Sequence, residues 1–139
     1  MTSKNLFSVL IGLAIACPAA AVVAQSVDFD ALSSLERGEW ELKERNGAAQ
    51  PRRLCIGDPV QLLQPHHIGR ACKRFVLENS AQQVAVTYDC AHAGQGRTAV
   101  RVETARLVQI DSQGVSGGAP FAMTLEGRRV GACKAIAER

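Results

Sequence analysis

Residues 84–90 read Val-Ala-Val-Thr-Tyr-Asp-Cys, and this stretch decides the fold class. Its larger residues alternate with small or polar ones and share one face of an extended segment: Val84, Val86, Tyr88 and Cys90. Alternation with a period of two is typical of a strand with one buried face. The stretch therefore predicts an antiparallel sheet with one apolar face that other segments must cover.

Similar strand patterns recur along the chain. They predict further strands at Gly38–Leu42, Arg53–Ile56, Phe75–Leu77, Thr98–Ile110 and Phe121–Gly127. Arg106 interrupts the apolar face of the strand at 98–110, so a bulge or register change is expected near Thr104–Arg106. The three glycines within Asp111–Pro120 predict a loop, and Asp58-Pro59 predicts a capped helical turn. The fold class predicted is mainly β: a small antiparallel β-meander, forming a curved sheet or partial barrel, with a short helical segment and two disulfides.

The first residues have the layout of a secretory signal peptide. Lys4 supplies a positive start, residues 6–16 form an uncharged apolar run, and small residues surround the expected cleavage site after Ala24. Cleavage after Ala21 fits nearly as well. The run is too short for a bilayer span, which needs about 20 apolar residues. An acylated Cys17, as in a lipoprotein, is the alternative, although the residues beside it fit such a site poorly.

A chain of 139 residues has room for one domain. We therefore divide it into a signal peptide (residues 1–24), an N-terminal arm (25–37) and a single β-rich domain (38–139). Within the arm, residues 27–35 are expected to form either a short helix or a loose entry segment. The formal net charge is +3, and the loss of Lys4 with the leader leaves +2. Binding to a phosphate backbone requires a dense basic surface, whereas the arginines of this chain are scattered. We expect no nucleic-acid partner and no membrane span in the mature chain.

Removal of the leader leaves four cysteines, Cys55, Cys72, Cys90 and Cys133. An even number in an exported domain predicts two disulfides, because the compartment beyond the membrane is oxidising. Three pairings are open, and we favour Cys55–Cys72 with Cys90–Cys133. The main rival pairs Cys72 with Cys90, since a hairpin turn near residues 79–82 would bring them almost opposite each other. No metal site is expected, because C-x-x-C and H-x-x-x-H spacings are missing.

No segment carries a recognisable catalytic motif. Gly94-Gln95-Gly96-Arg97 lacks the third glycine of a dinucleotide-binding loop and precedes a strand, so we interpret it as a hairpin connection. His66 and His67 fall in a stretch that is expected to be an exposed loop. Arg128 and Arg129 form the densest polar cluster near a cysteine and are the candidates for an anion or partner contact. Their alternative role is to protect a solvated strand end from aggregation. We predict no catalytic residue and no cofactor.

Several segments occur in an order that resembles one protein family: Gly38–Glu41, Arg53–Ile56, Cys72-Lys73, Tyr88–Cys90 and the ending Gly-Arg-Arg-Val-Gly-Ala-Cys at 127–133. Over residues 38–133 the chain resembles the small exported proteobacterial family described as domain of unknown function 3617. The resemblance implies a leader peptide and an exported protein. That family has no assigned activity, so the resemblance implies no catalytic residues. The chain departs from many members in being poor in methionine.

A second resemblance is fainter. Tyr88-Asp89-Cys90 followed by Gly94 resembles the Y-x-C stretch of small periplasmic lysozyme-inhibitor β-barrels, although their S-x-x-Y type loop is not evident. Our first hypothesis is a non-enzymatic periplasmic module of the cell envelope, either structural or binding a small ligand or an envelope protein. The alternatives are a secreted inhibitor of a lysozyme-type hydrolase and an enzyme whose site no motif marks.

Overall fold

The computed structural model describes residues 27–134, which form one open antiparallel sheet of seven strands. The predicted signal peptide and Cys17 lie outside these residues. Across the sheet the strand order is β2-β1-β7-β6-β5-β4-β3, so β3 to β7 form a meander. The strands are β1 (Gly38–Glu44), β2 (Arg52–Ile56), β3 (Lys73–Asn79), β4 (Gln83–Asp89), β5 (Gly94–Thr104), β6 (Leu107–Ser116) and β7 (Ala119–Gly131). Within residues 27–134, no helix has the length and apolar character needed to cross a bilayer.

The predicted fold class is confirmed, because the chain is mainly β and carries two disulfides and a short helix. One strand boundary was wrong. The segment at 98–110 is two strands, since β5 ends at Thr104, Ala105 and Arg106 form a turn, and β6 begins at Leu107. A register shift does occur close to the expected place, between Val102 and Thr104. The side chain of Thr104 accepts a hydrogen bond from the Arg106 amide at 3.2 Å and supports this turn. Arg106 therefore breaks the alternation because it lies in a turn.

The expected loop at 111–120 is also mostly strand. β6 continues to Ser116 and β7 starts at Ala119, which leaves only Gly117 and Gly118 between them. Both glycines have positive φ, 55° and 82°. A two-residue hairpin turn needs such φ values, and glycine adopts them without steric cost. Two glycines therefore replace the longer connection that the composition predicted.

The core lies on one side of the sheet, which we call the inner face. Helix α1 (Asp30–Ser33) and a 3₁₀ turn (Pro59–Leu63) cover this face. The Asp58 side chain accepts a hydrogen bond from the Val60 amide at 3.0 Å, so the predicted capped turn is confirmed. The fully buried apolar residues of the sheet are Trp40, Ile56, Val84, Val86, Val100, Val108 and Ile110. Residues 29–35, which we expected as an arm, contribute Phe29, Ala31, Leu32 and Leu35 to the same core.

The favoured disulfide pairing is wrong, and its rival is correct, since Cys72–Cys90 leaves Cys55 to pair with Cys133. The structure joins Cys72 to Cys90, with Cα atoms 4.2 Å apart, because Lys73 lies opposite Asp89 and the two cysteines continue that register.

The second bridge joins Cys55 to Cys133. Cys55 on β2 and Gly131 on β7 both lie opposite Glu39 of the strand between them. Two residues beyond Gly131 are therefore enough to bring Cys133 to Cys55. This pairing depends on the position of β1 between β2 and β7, which sequence spacing does not reveal.

Candidate functional site

A buried polar cluster lies at one end of the inner face. His67 is only 5% exposed and Tyr88 2% exposed, although the sequence placed His67 in an exposed loop. His67 Nε2 lies 3.0 Å from the Ala93 carbonyl oxygen, and Nδ1 lies 3.1 Å from the Tyr88 hydroxyl. A carbonyl can only accept, so Nε2 donates to it, and the Tyr88 hydroxyl donates to Nδ1 of the neutral ring. These two hydrogen bonds therefore hold His67 against β4 and the turn before β5.

Two hydroxyl groups extend this cluster. Thr98 and Ser112, on neighbouring strands, are buried and lie 2.8 Å apart through their hydroxyl oxygens. Burial raises the pKa of Tyr88, and a hydrogen bond with the Ser112 side chain opposes that effect in part. These hydrogen bonds satisfy the buried polar groups and hold the loop that carries His67 in place. Its role in the fold is structural.

His66 lies at the surface beside this cluster. Its ring stacks on Phe121 with centroids 4.3 Å apart and planes 8° apart. Partial burial lowers the pKa of His66 through desolvation, and the charge of Arg52 lowers it further. In the part of the chain that the structure describes, neither histidine is hydrogen-bonded to a carboxylate, and no three His, Cys, Asp or Glu side chains are grouped as a metal site requires.

The structure separates Arg128 from Arg129. Arg128 Nη2 lies 3.2 Å from the Glu126 carboxylate, and this hydrogen bond is the main cause of the lowered pKa of Glu126. Arg129 Nε donates to the Arg37 carbonyl oxygen at 2.8 Å and lies 3.5 Å from the Glu36 carboxylate. Consecutive strand residues point to opposite faces, so the two guanidinium groups do not converge. An anion contact at either arginine stays a prediction.

A different site lies on the outer face, opposite the core. The register places side chains of five strands in one row there: Phe75, Thr87, Arg97, Gln113 and Ala122. Two cavities of about 430 and 670 Å³ open along this row and share Arg97, Gln113 and Ala122. We call the two together the outer groove. Its floor carries small residues, among them Ala99 and Gly114.

Glycines allow the strands beneath the outer groove to approach closely. Gly96 on β5 lies opposite Gly114 on β6. A Cβ at Gly96 would lie 2.7 Å from the Tyr88 hydroxyl, and a Cβ at Gly114 would overlap the Gln95 carbonyl oxygen. Any side chain at Gly114 would therefore displace a neighbouring strand. The glycines that the sequence presented as a hairpin connection instead shape the sheet under the groove.

Charges of both signs face the outer groove. Arg97, Asp111 and Glu44 all line the smaller cavity. Arg97 on β5 lies diagonally opposite Asp111 on the neighbouring strand β6. Residues placed in this way are about 7–8 Å apart in an antiparallel pair. Within residues 27–134, Arg97 forms no ion pair with a carboxylate. The guanidinium of Arg97 and the carboxylates of the groove are therefore not paired with each other.

Sequence reasoning missed the outer groove altogether. Its side chains come from strands that are far apart in the chain, so only the register brings them together. The sequence offered a small signal, because Arg97 directly precedes the predicted strand at 98–110 and Asp111 directly follows it. Comparison of the chain with family models, with curated proteins and with solved structures found no match. Membership of the family described as domain of unknown function 3617 therefore stays an expectation.

Proposed function

We propose that this protein is an exported, non-enzymatic binding module of the cell envelope whose ligand lies in the outer groove. Its two disulfides suit an oxidising compartment. The observation that carries the proposal is the pair of adjoining cavities with opposite charges on their walls. Binding sites are concave, with a few polar groups that orient the ligand and apolar surface that contacts the rest.

The charges indicate which ligand the outer groove fits best. A guanidinium such as that of Arg97 binds a carboxylate through two parallel hydrogen bonds. Asp111 and Glu44 can accept hydrogen bonds from an ammonium group in the same cavity. The larger cavity adds apolar surface from Phe75 and Val115. We therefore propose a dipolar ligand, with a carboxylate and an ammonium group on a short, partly apolar body such as a small peptide.

Titration calorimetry with three probes tests the ligand class. The probes are alanylalanine, its N-acetyl derivative and its methyl ester, which present both charges, the carboxylate alone and the ammonium alone. We expect the free dipeptide to bind and each masked probe to bind at least about tenfold more weakly, since a hydrogen bond to a charged group contributes about 1.5–3 kcal/mol. Equal affinity for all three probes, or no heat with any of them, would contradict the proposed ligand.

Two variants locate the site, and a third serves as control. Arg97→Gln should weaken binding of the dipeptide and its N-acetyl derivative, whereas Asp111→Asn should weaken binding of the dipeptide and its methyl ester. Arg101→Gln is the matched control, because Arg101 lies four residues from Arg97 on the same face of β5 and pairs with Glu103 at 2.9 Å. Recovery of an envelope component on the tagged protein, lost with Arg97→Gln and kept with Arg101→Gln, would support the wider proposal independently of the probes.

A further inference from the structure

Strand β3 exposes three consecutive large apolar side chains at the edge of the sheet. Phe75 is 65% exposed, Val76 41% and Leu77 53%. We call these residues the apolar ridge. Every residue of β3 is exposed, whereas β4 beside it is largely buried. Phe75 and Val76 point to opposite faces of the sheet, so the ridge presents apolar surface on both sides of the edge. Exposed apolar surface of this kind marks an interaction site, because leaving it in water is unfavourable.

Basic side chains flank the apolar ridge on its N-terminal side. Arg70, Lys73 and Arg74 line a recess of about 470 Å³ beside the Cys72–Cys90 bridge. Arg74 donates to the Gln64 side-chain oxygen, which holds its charge in place. Within residues 27–134, no carboxylate lies within ion-pair distance of these three side chains. The recess therefore carries an excess of positive charge next to the ridge.

The acidic residues nearby do not cancel this charge. Asp89 lines the same recess, and one of its carboxylate oxygens accepts a hydrogen bond from the Ala91 amide. Glu78 lies at the other end of β3, where its carboxylate accepts a hydrogen bond from the Gln83 side chain. A hydrogen-bonded carboxylate keeps its charge, so Asp89 reduces the three positive charges of the recess to a net charge of +2. This positive charge lies beside the apolar ridge.

The backbone of β3 argues against a partner strand. The register between β3 and β4 shifts between Val76 and Glu78, so Leu77 is an extra residue in a bulge. Bulges interrupt the ladder and twist an edge away from further pairing. Addition of a strand from another protein, or from a second copy of this chain, is therefore disfavoured at the middle of β3. The side chains of the ridge remain available to a partner that does not pair with the strand backbone.

We infer that the β3 edge docks on the surface of an anionic phospholipid bilayer. In this arrangement the apolar ridge enters the headgroup region, and Arg70, Lys73 and Arg74 contact lipid phosphates. Apolar insertion combined with attraction to anionic lipids is the usual basis of reversible binding at the membrane surface. The β3 edge shares Phe75 with the outer groove, whereas Val76, Leu77 and the three basic residues do not line that groove. Variants that leave Phe75 unchanged therefore test the two sites separately.

Vesicle flotation with the protein purified after export, with both disulfides formed, tests this inference. A Cys17→Ser background removes an acyl anchor as an alternative cause of binding. We expect binding to vesicles with roughly one-third phosphatidylglycerol, much weaker binding to pure phosphatidylcholine, and loss of binding at high salt. Equal binding to both vesicles, or none to either, would overturn the inference.

Variants of the basic and of the apolar residues measure their separate contributions to vesicle binding. Arg70→Gln with Lys73→Gln should weaken binding about twentyfold, because each basic residue near an anionic surface contributes about fivefold. Leu77→Ser should weaken it about tenfold by removing inserted apolar surface. Val130→Ser is the apolar control, since Val130 is 40% exposed on β7, and Arg101→Gln is the charge control, since Arg101 is exposed on β5. Both controls should bind as the parent does.

Two further results would assign the surface to another occupant. A concentration-dependent dimer that Leu77→Ser abolishes, without vesicle binding by the parent, would make the ridge an interface between copies. Complete inhibition of vesicle binding by millimolar inorganic phosphate would make the recess a site for free phosphate. Either result overturns the docking of β3 on a bilayer.

Discussion

Cys55 and Cys133 have Cα atoms 5.3 Å apart, although 78 residues separate them in the sequence. Their bridge links edge strand β2 to the end of β7 across the intervening β1. The Cys72–Cys90 bridge is local by comparison, with a separation of 18 residues. The two bridges therefore restrict the unfolded chain to different extents.

Removal of each bridge should lower the free energy of unfolding by a different amount. In the chain-entropy relation, Cys55→Ala with Cys133→Ala costs about 4–5 kcal/mol, and Cys72→Ala with Cys90→Ala about 3 kcal/mol. Urea unfolding followed by the fluorescence of Trp40, the sole and fully buried tryptophan, measures both values. Non-reducing peptide mapping provides the matching check. A peptide joining Cys55 to Cys72 would show the connectivity to be wrong.

Tyr88→Phe should destabilise the fold by about 1–3 kcal/mol, because it leaves His67 Nδ1 buried without its donor. The ring and its packing are kept, so the loss reports the hydroxyl group. His66→Ala is the comparison, since it removes the stacking on Phe121 at the surface and should cost about 1 kcal/mol or less. Thermal or urea unfolding of both variants tests the difference. If Tyr88→Phe were the milder change, the buried cluster would not stabilise the loop.

Alkaline pH should remove a stabilising contribution of Tyr88. Burial raises the pKa of this phenol above its ordinary value of 10.0. The folded state therefore keeps the proton in a range where the unfolded chain has lost it. This contribution is present below about pH 10 and disappears as the pH rises through the folded-state pKa. The unfolding free energy of the parent should fall toward that of Tyr88→Phe in this range. Tyr88 is the sole tyrosine, so tyrosinate absorbance reports its titration directly.

Gly114→Ala should destabilise the sheet by about 1–3 kcal/mol, because a Cβ there would overlap the Gln95 carbonyl oxygen of the neighbouring strand. Gly131→Ala is the matched control in β7, since no atom lies within 4 Å of the Cβ position there. It should change stability by less than about 0.5 kcal/mol. The same pair also tests the outer groove, whose ligand affinity should fall with Gly114→Ala alone. Equal stability of the two variants would show that the strands do not need the glycine.

Local sequence pattern was enough to predict much of the fold. The alternation at Val84–Cys90 identified β4 because one face of that strand packs on the core. Asp58-Pro59 predicted its 3₁₀ turn, since capping involves only neighbouring residues. Arg106 was correctly seen as an interruption, but a bulge and a two-residue turn break the alternation in the same way. The pattern alone could not distinguish them.

The candidate sites were harder to predict because they join strands that are distant in sequence. The row from Phe75 to Ala122 exists only once five strands have paired in register. His67 is polar and lies two residues after Pro65, so the sequence predicted that it is exposed to solvent. In the structure it is buried, and the Ala93 carbonyl and the Tyr88 hydroxyl are its hydrogen-bond partners.

What the sequence determined by itself is the β character of this chain and its even number of cysteines in the predicted mature part, because both depend on local composition and alternation. Tertiary structure alone decided that Cys55 joins Cys133, that Arg97 and Asp111 share a groove, and that Phe75–Leu77 forms an exposed edge. The physical reason is the order of strands across the sheet. That order is set by burial of one apolar face over the whole domain, and no short segment contains it.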